Sequence, residues 1–189
     1  MNEKFLNMLR TANSLFNNGT IVDIYNTFLE QQRTNNVFNV DAFADALGLN
    51  VNREVWLDID ISGILNGRQR TIQANYFEGN LRQNFTIAHE IAHYLLHSNV
   101  DEITDFSFNR SQSYQYTEAQ RQEEEEADFF AANLLMPEDL LRQRYEEHSN
   151  LSTQQLVRTL ANMFQVSGRA MVKRLKDLGI IQRWVWVNV

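Results

Sequence analysis

The chain has 189 residues, no cysteine, a net charge of -7 and an apolar fraction of 43%. That length fits one domain, or one domain with a small appendage, and the apolar content supports a packed core rather than disorder. Without cysteine there are no disulfides and no thiolate zinc site, so any metal must be held by histidine and carboxylate. No apolar h-region opens the chain and no run approaches the roughly 18 apolar residues of a membrane span, so a soluble, cytoplasmic protein is expected. Residues 151–189 carry six basic residues and one acid, which leaves the rest of the chain at -12. An acidic body with a basic tail hints at basic partners for the body, or nucleic acid for the tail.

Residues 3–17 and 21–33 read as two helices, because Phe5, Met8, Leu9, Ala12, Leu15 and then Ile21, Ile24, Tyr25, Phe28, Leu29 recur at helical spacing. They carry no evident chemistry. A short helix is expected over Asp41–Leu47, with Asp41 as N-cap and Gly48 as its stop. Between residues 50 and 76 the pattern turns to strands, marked by Val51, Val55, Leu57, Ile59, Ile61, Ile64 and Ile72. Asn66-Gly67 is a strong hairpin signal, since both residues accept positive φ. A small antiparallel sheet of about three strands is predicted, leading through residues 77–81 into the next helix.

That helix holds His89-Glu90-Ile91-Ala92-His93 inside an otherwise apolar run from Phe85 to Leu96. Residues four apart share one helix face, so both imidazoles can meet one Zn²⁺ while Glu90, beside the first, reaches a water there. A charged glutamate and two histidines in an apolar helix are costly without such a partner. His97 lies eight residues, or about 12 Å, beyond His89 along the helix and is read as structural or substrate-facing rather than as a ligand.

Residues 98–122 are polar without firm period and are read as a loop or insertion, with Tyr114 and Tyr116 as conceivable oxyanion donors. Tyr94 and His148 are further candidates for that role. Four consecutive glutamates, Glu123–Glu126, then open a helix whose stripe is Ala127, Asp128, Ala131, Leu134 and Leu135. Glu124 lies on this stripe and is the expected third ligand; Glu123 is the alternative. Asp128, one turn on, can accept from a ligand histidine. Pro137 ends this helix and starts the next at Glu138–Glu147. Ser152-x-x-Gln155 is a capping box for a helix through Phe164, and Arg169–Leu178 forms a second helix stopped by Gly179. Their pairing resembles a helix-turn-helix, with Arg169, Lys173, Arg174 and Lys176 available to phosphates. Trp184–Val187 suggest a terminal strand.

His89–His97, followed by Glu124-x-x-Ala127-Asp128-x-x-Ala131-x-x-Leu134-Leu135-Met136-Pro137, resembles the ImmA/IrrE family of metallopeptidases. The resemblance covers about residues 38–182. It implies a gluzincin-like zinc site with His89, His93 and Glu124 as ligands and Glu90 as catalytic base. It also implies cleavage of a helix-turn-helix repressor, often encoded nearby in mobile elements, with some members tied to toxin–antitoxin systems. Ala92 stands where the family often has Gly, and Asp128 where Asn is common; aspartate also suits the role of supporting a ligand histidine. The C-terminal pattern recurs in the family too, so that segment is read mainly as a scaffold or partner-docking element.

The expected organisation is a mainly helical α+β protein: N-terminal helices over 1–37, a zinc metallopeptidase core over 38–150, and a helix-turn-helix-like segment with a terminal strand over 151–189. The expected function is a zinc endopeptidase acting on a helix-turn-helix repressor or antitoxin. The alternative is a non-catalytic regulatory protein that sequesters such a partner or binds DNA through the C-terminal segment.

Overall fold

The computed structural model describes residues 2–15, 21–56, 61–97, 105–109 and 116–182. The elements run α1 (Glu3–Leu15), α2 (Ile21–Asn35), α3 (Val40–Ala46), β1 (Asn50–Glu54), β2 (Ile61–Asn66), β3 (Thr71–Asn75), α4 (Asn80–Leu96), β4 (Asp105–Asn109), α5 (Glu118–Leu135), α6 (Glu138–Glu147), α7 (Thr153–Phe164) and α8 (Gly168–Asp177). The fold is mainly helical α+β, as expected. Among the described residues no helix is long and apolar enough to cross a membrane.

α4 is the centre. Gln83 and every residue from Thr86 to Leu95 are buried. A helix buried around its whole circumference needs neighbours on all sides, and it has them: β2 and β3 on one side, α5 on another, with α1 and α3 completing the shell. Gln83 pins its entry, donating Nε2–H to the carbonyls of Tyr76 and Glu78 while its Oε1 accepts from Arg53 Nε at 2.8 Å. The N-terminal helices join the same core. Phe5 of α1 packs against Tyr25 and Phe130 with ring centroids 5.2 and 5.0 Å apart. Gln32 of α2 is fully buried, and its Nε2–H donates to the Leu135 carbonyl that ends α5, at 2.8 Å.

The sheet has strand order β1-β3-β2-β4 and is mixed rather than purely antiparallel. β2 and β3 form the expected hairpin, but β1 runs parallel to β3, with Val51 opposite Ile72. The hairpin loop also differs from the two-residue turn that Asn66-Gly67 suggests. Asn66 pairs with Thr71, and the four residues between them form the loop. The Asn66 side chain accepts from Gln69 N at 2.8 Å, and the positive φ falls on Arg70, not Gly67. Asparagine here works through its side chain, building a local turn of its own, rather than through its tolerance of positive φ. Similarly, Asn39 rather than Asp41 caps α3, accepting from Ala42 N, while Gly48 at φ 75° takes the left-handed stop as expected.

The polar stretch 98–122 is not all loop. β4 lies within it, paired with β2, and α5 already begins at Glu118. Thr117 and Gln120 form a reciprocal capping box there, the same device that Ser152 and Gln155 provide for α7. At the C-terminus, α7 and α8 are joined by a three-residue turn with Gln165 left-handed (φ 52°) and Ser167 capping α8. One expectation fails here. Arg174 is not available to phosphates: it is buried, with Nε donating to Met136 O at 3.1 Å and Nη2 to Asn133 Oδ1 at 2.8 Å. Lys173 is exposed but paired with Asp177. The suggested terminal strand at Trp184–Val187 lies outside the described residues.

Arg174 therefore staples α8 to the end of α5. Replacing it by methionine keeps most of the volume but strands two buried oxygens, so Arg174→Met should lower unfolding free energy by about 2–3 kcal/mol. Urea denaturation of the two proteins measures this, and an unchanged midpoint with an unchanged slope would show that the staple contributes nothing.

Candidate metal centre

The two histidines arise from helix periodicity, and the third ligand arises from how closely two helices pack. α5 is the helix that α4 contacts most. Ala88 and Ala92 of α4 and Ala127 and Ala131 of α5 are all fully buried. Side chains this small allow the backbones to approach. One turn before Ala127, Glu124 then reaches the histidine face.

His89 Nε2 and His93 Nε2 lie 3.0 Å apart. Glu124 Oε2 is 3.3 Å from the first and Oε1 is 3.4 Å from the second. A tetrahedral ion bound at about 2.0–2.1 Å separates its ligands by about 3.3 Å, so the triad matches the spacing a zinc ion requires. His89, His93 and Glu124 are the group of metal-competent side chains found among the described residues. Glu123 is not part of it, so the geometry favours Glu124 over Glu123 as the third candidate.

Each of the two imidazoles is held from behind. Asp128 Oδ1 lies 3.2 Å from His89 Nδ1, as the helix phase suggests. His97 lies 3.0 Å from His93, Nδ1 to Nδ1, and its own Nε2 is 3.2 Å from Glu126 Oε2. His97 is thus no ligand, in keeping with its distance along the helix, yet it touches one. The sequence reading gave neither His97 nor Glu126 this position, although the i, i+4 spacing from His93 to His97 carried the signal.

Burial opposes charge on the imidazole of His89, but hydrogen bonds to Asp128 and Glu124 outweigh it and push its pKa up to about 9. His93 is lowered to about 4 by burial. Burial would raise Glu124, but its hydrogen bonds to both histidines hold it down at about 2. Glu90 is pushed up to about 8, chiefly by burial. It is completely enclosed, and neither of its carboxylate oxygens has a hydrogen-bond partner among the described residues. Gly63 of β2 makes room for it: a Cβ at that position would stand 3.1 Å from Glu90 Oε1 and 2.3 Å from Thr86 Cγ2.

The other suggested residues fall elsewhere or outside view. His148 caps α6 and donates Nδ1–H to Arg144 O at 2.9 Å. Tyr94 is buried on α4. Tyr116 precedes the cap of α5, and Tyr114 lies outside the described residues.

A family model described as the IrrE N-terminal-like domain, Peptidase_M78, matches residues 44–176. The chain belongs to this peptidase family. The match runs from within α3 to the last turn of α8, so the IrrE-like region contains the sheet, the histidine helix, the glutamate helix and both C-terminal helices. No curated protein matches the chain.

Two outcomes follow from this geometry. Between pH 6 and 8 the metal-free site keeps a proton on His89, whose pKa is about 9, whereas His93 and Glu124 are already deprotonated. Metal must displace that proton, so zinc affinity should rise with pH, by about tenfold per unit for one displaced proton. Chelator competition across this range measures it; a flat profile would contradict the assignment. In Gly63→Ala the new methyl collides with Thr86, so the protein should lose about 1–3 kcal/mol of stability while keeping zinc affinity within a few-fold. Melting curves and zinc titration check both halves.

Proposed function

We propose that the protein is a zinc-dependent endopeptidase that cleaves a helix-turn-helix repressor or antitoxin. The observation that carries the catalytic reading is Glu90. A site that only stabilises a fold needs ligands and no general base. Here a carboxylate is enclosed beside the ligand cluster at a cost in desolvation, with no hydrogen-bond partner among the described residues that would give it a structural task. Its pKa, raised to about 8, suits a group that takes a proton and returns it near neutral pH.

His89, His93 and Glu124 would hold the ion. When bound, zinc supplies Lewis-acid polarisation of a carbonyl and eases deprotonation of water. Glu90 accepts the proton of the attacking water at its carboxylate and delivers it to the departing amine nitrogen. Asp128 and His97 hold the imidazoles in orientation throughout.

The substrate class rests on the family resemblance and on charge. The chain outside 151–189 carries -12. A DNA-binding repressor presents basic surface for its phosphates, which suits an acidic partner. The same accounting weakens DNA as a ligand of the C-terminal segment, where Arg174 is buried and Lys173 is paired with Asp177.

Purified wild-type protein and Glu90→Gln, each loaded with zinc, should be incubated with helix-turn-helix proteins encoded beside its gene. Wild type should cut one of them, while Glu90→Gln binds zinc within a few-fold but cleaves at least about 10²-fold more slowly. Undiminished cleavage by Glu90→Gln would end the assignment of the base. In parallel, metal analysis should find about one zinc per wild-type chain and a loss in Glu124→Ala.

A further inference from the structure

The hydrogen bonds behind His93 form a chain whose polarity is fixed at its outer end. The outer end is the side-chain carboxylate of Glu126 on α5, whose oxygens accept hydrogen bonds. Its Oε2 is 3.2 Å from His97 Nε2, so that nitrogen carries the hydrogen. The other ring nitrogen of His97, Nδ1, lies 3.0 Å from His93 Nδ1. His93 turns its Nε2 toward His89 and Glu124, so when that nitrogen binds a metal the ring hydrogen sits on Nδ1 and is donated to His97 Nδ1. The lone pair of His93 is thereby left on Nε2, the atom 3.0 Å from His89 Nε2 and 3.4 Å from Glu124 Oε1.

We propose that Glu126 and His97 are positioning residues that fix the tautomer and ring orientation of His93 for metal binding. The two ligand histidines are thus supported differently: His89 by a carboxylate directly, His93 by a carboxylate acting through an intervening imidazole. The arrangement gives two side chains a task that ligand spacing alone leaves unexplained. His97 is too far along α4 to share the ion, and Glu126 is one of four consecutive glutamates of which Glu124 is the ligand. The His97 side chain is 7% exposed and that of Glu126 is 34% exposed, so the chain runs from the enclosed ligand to the protein surface.

The inference rests on the metal reading above, and its test reads metal rather than catalysis. The full-length protein and three variants, His97→Ala, His97→Gln and Glu126→Ala, are titrated with Zn²⁺ against a fluorescent chelator at one pH. Removing a partner of this kind weakens metal binding by about 10- to 100-fold, so His97→Ala should lose affinity in that range. His97→Gln supplies an amide oxygen that can accept from His93 Nδ1–H and should recover most of the loss. Glu126→Ala should fall between. In zinc-loaded, ¹⁵N-labelled protein, the His93 Nδ1–H resonance should be visible in wild type and lost to exchange in His97→Ala.

Wild-type affinity in His97→Ala would overturn the proposal. So would equal losses in both His97 variants with none in Glu126→Ala, which would reduce His97 to packing. Should His97→Ala fail to fold, the surface variant decides: weakened binding in Glu126→Ala upholds the chain and unchanged binding refutes it. Failure of the wild type to bind zinc would overturn the metal reading itself, an outcome distinct from normal wild-type binding with unaffected variants.

Discussion

The structure depends on a polar cluster enclosed within an apolar helix. α4 is buried on every side for ten consecutive residues, and three of those are His89, Glu90 and His93. Polar groups taken out of water must find partners or lose stability. The rest of the fold supplies them. α5 brings Glu124 and Asp128, one turn apart, to His89 and His93, and Glu126 to His97, and the buried alanines of both helices let it come near enough to do so. α5 in turn is held by Gln32 of α2 at its last carbonyl and by Arg174 of α8 one residue later.

Glu90 stands apart from the two histidines. The histidines on either side of it, His89 and His93, are each matched with a partner, whereas its own oxygens have none among the described residues. β2 accommodates it at Gly63, where a methyl group would meet both Glu90 and Thr86. A buried carboxylate kept close to a strand, with space made by a missing side chain, costs local stability, and that cost is what the proposed role as a base would explain.

The C-terminal helices illustrate how burial changes the meaning of a sequence pattern. Four basic residues on a short helix after a capped turn suggest contact with phosphate. Once α8 is packed, Arg174 faces inward onto two neutral oxygens, and burial lowers its pKa to about 10. What resembled a nucleic-acid surface is in part a fastening of the peptidase core.

The sequence by itself determined whatever depends on spacing along one helix. His89 and His93 face one point because they are four apart, Glu124 follows from the phase of the Ala127–Ala131 stripe, and Asp128 falls behind His89 for the same reason. Capping chemistry fixed α7, and Gly48 and Gly179 marked stops by their left-handed backbone. Weaker local signals mark the remaining elements, such as the Thr117-x-x-Gln120 box of α5 and the alternating Phe106 and Phe108 in the sequence of β4. Only the tertiary structure decided that β1 lies parallel to β3, that Arg70 rather than Gly67 takes the positive φ, that Arg174 turns inward, and that His97 completes a chain to Glu126. The physical reason is the same in each case. Strand partners, turn geometry and the neighbours of a buried side chain depend on residues distant in the chain, which no local period records.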